Sequence, residues 1–402
     1  MVRVLHSCVV GPLELVAAGF AAELERQGYT VASASHQLGL VAHLSRWMAR
    51  RRLSPADLTP AVIEQYLRAR RTGGYRLFRS EKALAPVLGY LGRLGVAPQE
   101  MAPPEQTPAE LQVERYRDYL MSERGMGARS VRGYLDLVRP FIEHHLSDEA
   151  DLRVLTAGDV SSFLVTESRR LSPKTVQRLA SALRSVLRYW HVRGVIDTPL
   201  AAAVPKVASR GPHLPRGLPP SQVATLLDSC DRSQRAGLRD FAMLTLMSRV
   251  GLRAGEVAGL RLDDIDWRSG ELIIVGKGHR RDRLPLSRDV GQAIADYLQR
   301  GRPRQALDRQ VFIRLKAPYR RLTTGGVTQA VAAAAQRAGL GTIYAHRLRH
   351  SAATSMVTAG ASLAEIGQVL RHRRPVTTSI YAKVDTEALR TLARPWPTGG
   401  VS

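Results

Sequence analysis

The sequence predicts a mostly α-helical chain with one small β-sheet in its last third, and three observations lead there. Apolar residues return at three- and four-residue steps through the first half, as at Leu135, Val138 and Phe141 and again at Leu183, Val186 and Leu187. A single run of strand character, Glu-Leu-Ile-Ile-Val from Glu271, is followed by a glycine-bearing turn and a second short run, Arg-Leu-Pro-Leu from Arg283. Two proline-rich stretches, near residues 97 to 108 and 204 to 220, show neither periodicity and divide the chain of 402 residues into three parts.

The parts are taken as an all-helical N-terminal module over residues 1–100, a second all-helical domain over 107–203, and a mixed α/β domain over 219–395. The first two resemble each other. At a constant offset Gly28, Ser33, Leu38, Val41, Leu58, Thr59, Tyr66 and Leu67 match Gly125, Ser130, Leu135, Val138, Leu155, Thr156, Phe163 and Leu164. After a two-residue slip Leu84, Val87, Leu88, Tyr90, Gly95 and Val96 face Leu183, Val186, Leu187, Tyr189, Gly194 and Val195. Burial explains shared apolar spacing, but matched Gly, Ser and Thr positions point to a duplicated module. Ser172 followed by Pro173 reads as an N-cap and first helical residue. In the third part a helix around Leu238 to Met247 precedes the strands, and Ser362 with Glu365 forms a capping box for the helix carrying Ile366, Val369 and Leu370.

Charge supplies the first functional clue. Lys and Arg number 59 against 35 Asp and Glu, leaving a net charge of +24 that predicts a polyanionic partner bound in a salt-dependent way. Nucleic acid fits better than lipid, because no basic amphipathic anchor stands out. Apolar residues make up 44% without a run long enough to span a bilayer, and the apolar start is interrupted by Pro12 and Glu14, so a cytoplasmic, nucleoid-associated protein is expected. Cys8 and Cys230 are too few for a disulfide framework and have no zinc-ligand spacing.

The third part carries an ordered set: Gly-Leu-Arg-Ala-Gly-Glu around Arg253, Gly-Lys-Gly around Lys277, His-Arg-Leu-Arg-His from His346 to His350, Leu-Arg-His ending at His372, and Thr-Thr-Ser-Ile-Tyr ending at Tyr381. Singly each is weak. Together, in this order and spacing, they resemble the catalytic domain of the tyrosine recombinases of the phage integrase family, over roughly residues 219 to 392. The segment from about 108 to 205 is similar to that family's helical core-binding, SAM-like domain.

Physical chemistry gives each residue a reason. A phosphodiester repels nucleophiles, and its displacement gathers negative charge on the non-bridging oxygens, which the planar forks of Arg253 and Arg349 can hold. On a helix His346, Arg349 and His350 fall on one face. Tyr381 is the nucleophile; with a pKa near ~10 it needs its proton removed as it attacks, and His346 is the candidate base. His372 would donate a hydrogen bond to a non-bridging oxygen, and Lys277 on its turn would protonate the leaving 5′-oxygen. Glu256 matches the family's acidic position and orients neighbours, with His350 in a supporting role. His346 and His350 have metal-ligand spacing, but the glutamate and third ligand of a zinc site are missing, so neither metal nor other cofactor is expected.

The resemblance implies a 3′-phosphotyrosyl intermediate, strand exchange through a Holliday junction, and a homo-tetramer on two paired duplex sites, alone or with related recombinases. DNA contacts are expected from Arg169, Arg170, Lys174 and Arg178 and from Arg373 and Arg374; Arg50, Arg51, Arg52, Arg70 and Arg71 are candidates in the first module. Arg371 departs from the family by standing where glycine usually precedes the histidine. The segment after Tyr381, Asp385 to Ala393, is expected to form a helix that packs into a neighbouring subunit. A third, repeat-like module favours a mobile-element integrase over a chromosome-dimer resolvase. The complete catalytic set argues against a silent accessory subunit, and a type IB topoisomerase-like enzyme would share the chemistry without needing a partner site.

Overall fold

The computed structural model describes residues 2–4, 7–96, 107–146, 152–207, 217–276, 280–371, 378 and 381. The chain divides into two compact units, one combining Met1–Gln99 with Leu214–Ser402 and the other spanning Glu100–His213.

The first unit begins with an antiparallel pair, β1 (Val2–Val4) and β2 (Ser7–Val9), in the register Val2 to Val9. This corrects the expectation of an all-helical N-terminal module. The segment is rich in β-branched valine, which suits a pleated ribbon, and Val9 is fully buried. Four helices follow: α1 (Glu14–Arg26), α2 (Val31–Arg50), α3 (Pro60–Thr72) and α4 (Glu81–Arg93). Leu13, Phe20, Leu38, Val41, Trp47, Tyr66 and Leu84 close their own hydrophobic cluster.

The second unit holds α5 (Pro108–Asp118), which runs into a π-helical turn at Tyr119–Glu123, then α6 (Ala128–His145), α7 (Ala157–Arg170) and α8 (Pro173–Val192). Ser172 caps α8 by accepting the Thr175 N–H at 3.3 Å, with Pro173 as first helical residue. Tyr116, Phe141, Leu183, Val186 and Trp190 form its core.

The mixed part of the first unit is built on α10 (Arg235–Arg249), preceded by α9 (Pro220–Asp228) and followed by the short α11 (Ala254–Gly259). Helix α10 is buried through most of Leu238 to Met247, including Asp240, which pairs with Arg239 at 2.8 Å. A three-stranded antiparallel sheet follows, β3 (Ile265–Asp266), β4 (Glu271–Val275) and β5 (Arg281–Pro285), in sequential order. Leu272, Ile274 and Leu284 point into the core, as a period of two requires. Strand β5 starts two residues before the expected Arg283 and stops at Pro285, whose missing N–H cannot extend a ladder. Helices α12 (Arg288–Asp296), α13 (Thr324–Arg337), α14 (Ala345–Thr358) and α15 (Leu363–Val369) complete the part. The Ser362 and Glu365 box caps α15 reciprocally: Ser362 N–H donates to Glu365 Oε2 at 2.8 Å and Glu365 N–H to Ser362 Oγ at 3.3 Å. Among the described residues no helix is long and apolar enough to cross a membrane. The expected helix after Tyr381 lies outside the described residues.

Candidate active site

The site starts at the end of α10, where the chain must turn sharply to begin α11. Gly251 makes that turn with φ +69°, and a Cβ on it would stand 2.5 Å from a methyl of Leu370, so glycine lets the end of α15 approach. Two residues on, Arg253 is the N-cap of α11, and Glu256 at the third helical position reaches back to it. The Arg253 N–H donates to Glu256 Oε2 at 2.8 Å and its Nη1 to Oε1 at 2.7 Å, while the Arg253 side chain stays 44% exposed. Arg253 is thus oriented by a carboxylate yet open to a ligand.

Arg349, by contrast, is enclosed. Arg349 on α14 is 1% exposed, donating from Nη1 to the Gly251 carbonyl at 2.5 Å and from Nη2 to the Leu370 carbonyl. Burial, then the positive neighbour Arg253, push its pKa down to about 10, so it remains cationic at neutral pH. One helical turn along the same face, His346 and His350 stack edge to face with ring centroids 4.5 Å apart. His350 Nδ1 lies 2.7 Å from the Tyr381 hydroxyl. Burial, reinforced by His346 and Arg349, drives the His350 pKa down to about 4, which leaves a neutral ring, a weak base whose Nδ1 can accept a hydrogen bond from the phenol. Tyr381 is 1% exposed, packed with Ala353, Ile366 and Leu370. Burial raises its pKa while Arg349 and Arg253 pull the other way.

Arg371, the residue in the glycine position, takes up the left-handed conformation itself, with φ +55°. That conformation costs a side-chain-bearing residue about 1–2 kcal/mol, so something must hold it. Its Nη2 donates to Glu256 Oε2 at 2.7 Å with both side chains under a tenth exposed, and its Nη1 donates to the Val369 carbonyl at 3.0 Å. Burial alone would raise the Glu256 pKa; the Arg371 charge and the Arg253 hydrogen bonds more than offset this, and the carboxylate is held below its ordinary value.

Of the residues singled out in the sequence, the structure brings Arg253, Glu256, His346, Arg349, His350 and Tyr381 into one neighbourhood. Lys277, His372, Arg373 and Arg374 lie outside the described residues; the Gly276 N–H donates to the Arg280 carbonyl at 2.7 Å. In the second unit Arg169, Lys174 and Arg178 are exposed, and Arg170 is paired with Glu167 at 2.5 Å. Sequence reasoning missed the contact of His350 with the tyrosine and the Arg371–Glu256 pair. The spacing of His346 and His350 was the available signal for the first, and a charged residue in a glycine position for the second. Among the described residues no three His, Cys, Asp or Glu side chains are grouped to hold a metal ion.

A tyrosine hydrogen-bonded to a neutral histidine, beside two guanidiniums in a helical domain with a small sheet, has the chemistry that attack by a phenol on an anionic phosphodiester would need. The chain belongs to the phage integrase family: residues 216–388 match the family's own profile and residues 113–194 that of the phage integrase N-terminal SAM-like domain. It is 39% identical to the putative integrase/recombinase y4rA of Sinorhizobium fredii over 96% of this chain and 95% of that protein. With tyrosine recombinase XerD of Mycobacterium leprae it shares 33% identity over 70% of this chain and 95% of XerD. The fold resembles that of XerH bound to difH DNA in a post-cleavage complex (TM-score 0.56, 20% identity, 82% of this chain, 93% of XerH) and of lambda integrase in a tetramer on a Holliday junction (TM-score 0.54, 18% identity, 83% and 94%).

Proposed function

We propose that this tyrosine recombinase serves a mobile element, cutting and rejoining duplex DNA at specific sites as a homo-tetramer. Arg253 and Arg349 bind the non-bridging oxygens of the scissile phosphate, with His372 donating to one of them. Tyr381 Oη bonds to phosphorus as the bond to the 5′-oxygen breaks; the electron pair leaves with that oxygen, which takes a proton from Lys277. His350 orients the phenol through its hydrogen bond, and His346, whose ring stands 4.5 Å from that of His350, takes the phenolic proton as base. The 3′-phosphotyrosyl bond stores the energy for rejoining, and a second strand's 5′-hydroxyl reverses the step.

The observation that carries this reading is the 2.7 Å approach of the Tyr381 hydroxyl to His350 on the helix that also bears Arg349. The solved relatives on cleaved DNA and on a Holliday junction support the DNA partner and the tetramer. The mobile-element role rests on the additional N-terminal module, and y4rA, itself named an integrase/recombinase, is similar over nearly the whole chain. As working domains we take 1–100, 107–203 and 219–395. The test is to incubate the chain with sheared, nicked genomic DNA of its source strain, denature, and sequence what stays attached to protein. Adducts focused on a few sites, and none with Tyr381→Phe, are expected; no adduct with the unmodified chain overturns the proposal.

A further inference from the structure

Arg371 occupies a position that links the two clamp arginines. On its N-terminal side the Leu370 carbonyl accepts from Arg349, and through its own side chain Glu256 is held, whose other oxygen accepts from Arg253. Its guanidinium is 5% exposed, so it cannot itself reach a bound phosphate. Its Nε is buried without a hydrogen-bond partner among the described residues. A left-handed arginine with a buried side chain thus stands at a place where glycine would relieve the backbone. That combination has a use only if the guanidinium does something glycine cannot.

We propose that Arg371 is a positioning residue for the cleavage step, fixing Glu256 and thereby the spacing of Arg253 from Arg349. The carboxylate faces two guanidiniums, those of Arg253 and Arg371. With Arg371 in place, Glu256 Oε2 is shared by Arg371 Nη2 and the Arg253 backbone N–H, and the Arg253 guanidinium is held by Oε1 alone with the rest of its fork open. Without it, both carboxylate oxygens turn to Arg253 as a bidentate pair, which withdraws from the phosphate the donors that the transition state needs.

The inference rests on the functional reading above, and its test is chosen so that the two can fail separately. A nicked duplex of the sequence recovered from the genomic adducts is used twice, once with an ordinary scissile phosphate and once with a methylphosphonate, which lacks the charge the clamp stabilises. For Arg371→Gly, which relieves the backbone and removes the guanidinium, adduct formation on the phosphate in a single turnover is expected to slow about tenfold to a hundredfold. Affinity for the uncleaved duplex should stay within about twofold, since Arg371 touches no ligand. On the methylphosphonate the defect should nearly vanish. Arg371→Lys, which keeps a charge for Glu256, should recover part of the rate, and Glu256→Gln combined with Arg371→Gly should be no slower than Glu256→Gln alone. A full rate for Arg371→Gly, an equal defect on both substrates, or additive losses overturn the inference while leaving the recombinase reading intact. If the unmodified chain forms no adduct, both fall. Melting of each variant by circular dichroism identifies a folding failure, in which case Arg371→Lys decides by the ratio of its two substrate defects.

Discussion

The N-terminal helices α2 to α4 and the helices α6 to α8 of the second unit follow one plan with two outcomes. Thr59 and Thr156 cap α3 and α7, each accepting an N–H three residues on at 3.3 Å. Gly28 and Gly125 both adopt positive φ ahead of the next helix, and Gly95 and Gly194 both close the last one, with φ +68° and +67°. Beyond them Val96 N–H donates to Leu91 and Val195 N–H to Trp190, the same helix-end motif. The difference lies before the last helix. Helix α8 has 20 residues and carries Lys174 and Arg178 on its first turns, whereas α4 has 13 and the matching stretch is a loop with Gly74 and Phe78 at positive φ. In that loop's module Arg70 is turned inward, 5% exposed, donating to the Leu77 carbonyl at 3.2 Å and lying 4.2 Å over the Tyr75 ring. The second module therefore presents Lys174 and Arg178 outward at the start of its last helix, whereas the first uses Arg70 to pin the loop there.

Three changes test that contrast, and the largest effect is expected at the paired glycines. A Cβ on Gly125 meets nothing within 4 Å, so Gly125→Ala should lose only the left-handed backbone preference, about 1–2 kcal/mol. At Gly28 a Cβ would fall 2.1 Å from the Tyr319 ring of the mixed part, adding about 1–3 kcal/mol of overpacking. Urea unfolding should show Gly28→Ala as the worse of the two and Tyr319→Ala rescuing it alone; equal losses would mean that the N-terminal module does not rest on that ring.

A smaller effect is expected from charge. Removing Lys174 and Arg178 together should weaken DNA binding about tenfold and reduce the slope of log affinity against log salt by about 2. Removing Arg68 and Arg71, which already pair with Glu64, should change affinity by less than about twofold. Fluorescence anisotropy across a salt series measures both, and equal losses would erase the functional difference between the copies.

The smallest effect is on pH dependence. His43 in α2 and His145 in α6 both have pKa values lowered, chiefly by burial, and neighbouring positive groups add to it. A histidine whose folded pKa is depressed binds more protons when unfolded, so its contribution is present above about pH 6.5 and is lost as pH falls toward the folded value. Each module should therefore soften on mild acidification, and His43→Gln or His145→Gln should flatten the response of its own module only, as read by hydrogen exchange. A His43 substitution that flattens the second unit instead would contradict the separate clusters around the two histidines.

Much of this molecule follows from local sequence. The Ser172–Pro173 and Ser362–Glu365 signatures start α8 and α15 because capping depends on residues three apart, and Glu271 to Val275 is a strand because its β-branched, apolar run is local. The ordered Arg, Lys, His, Arg, His and Tyr set pointed to the family for the same reason: each motif is short, and their order survives in one dimension. The N-terminal β-pair escaped notice because its strands are three residues each and take their place by packing Val9 against α2. What only the tertiary structure decided is how far-apart residues share one charge. Arg349 lies 98 residues from the Gly251 carbonyl it grips, Glu256 lies 115 from Arg371, and His350 lies 31 from the hydroxyl it faces. Spacing along a chain reports which groups are available for the reaction, but burial and the direction of each hydrogen bond exist only once the helices that carry them have packed.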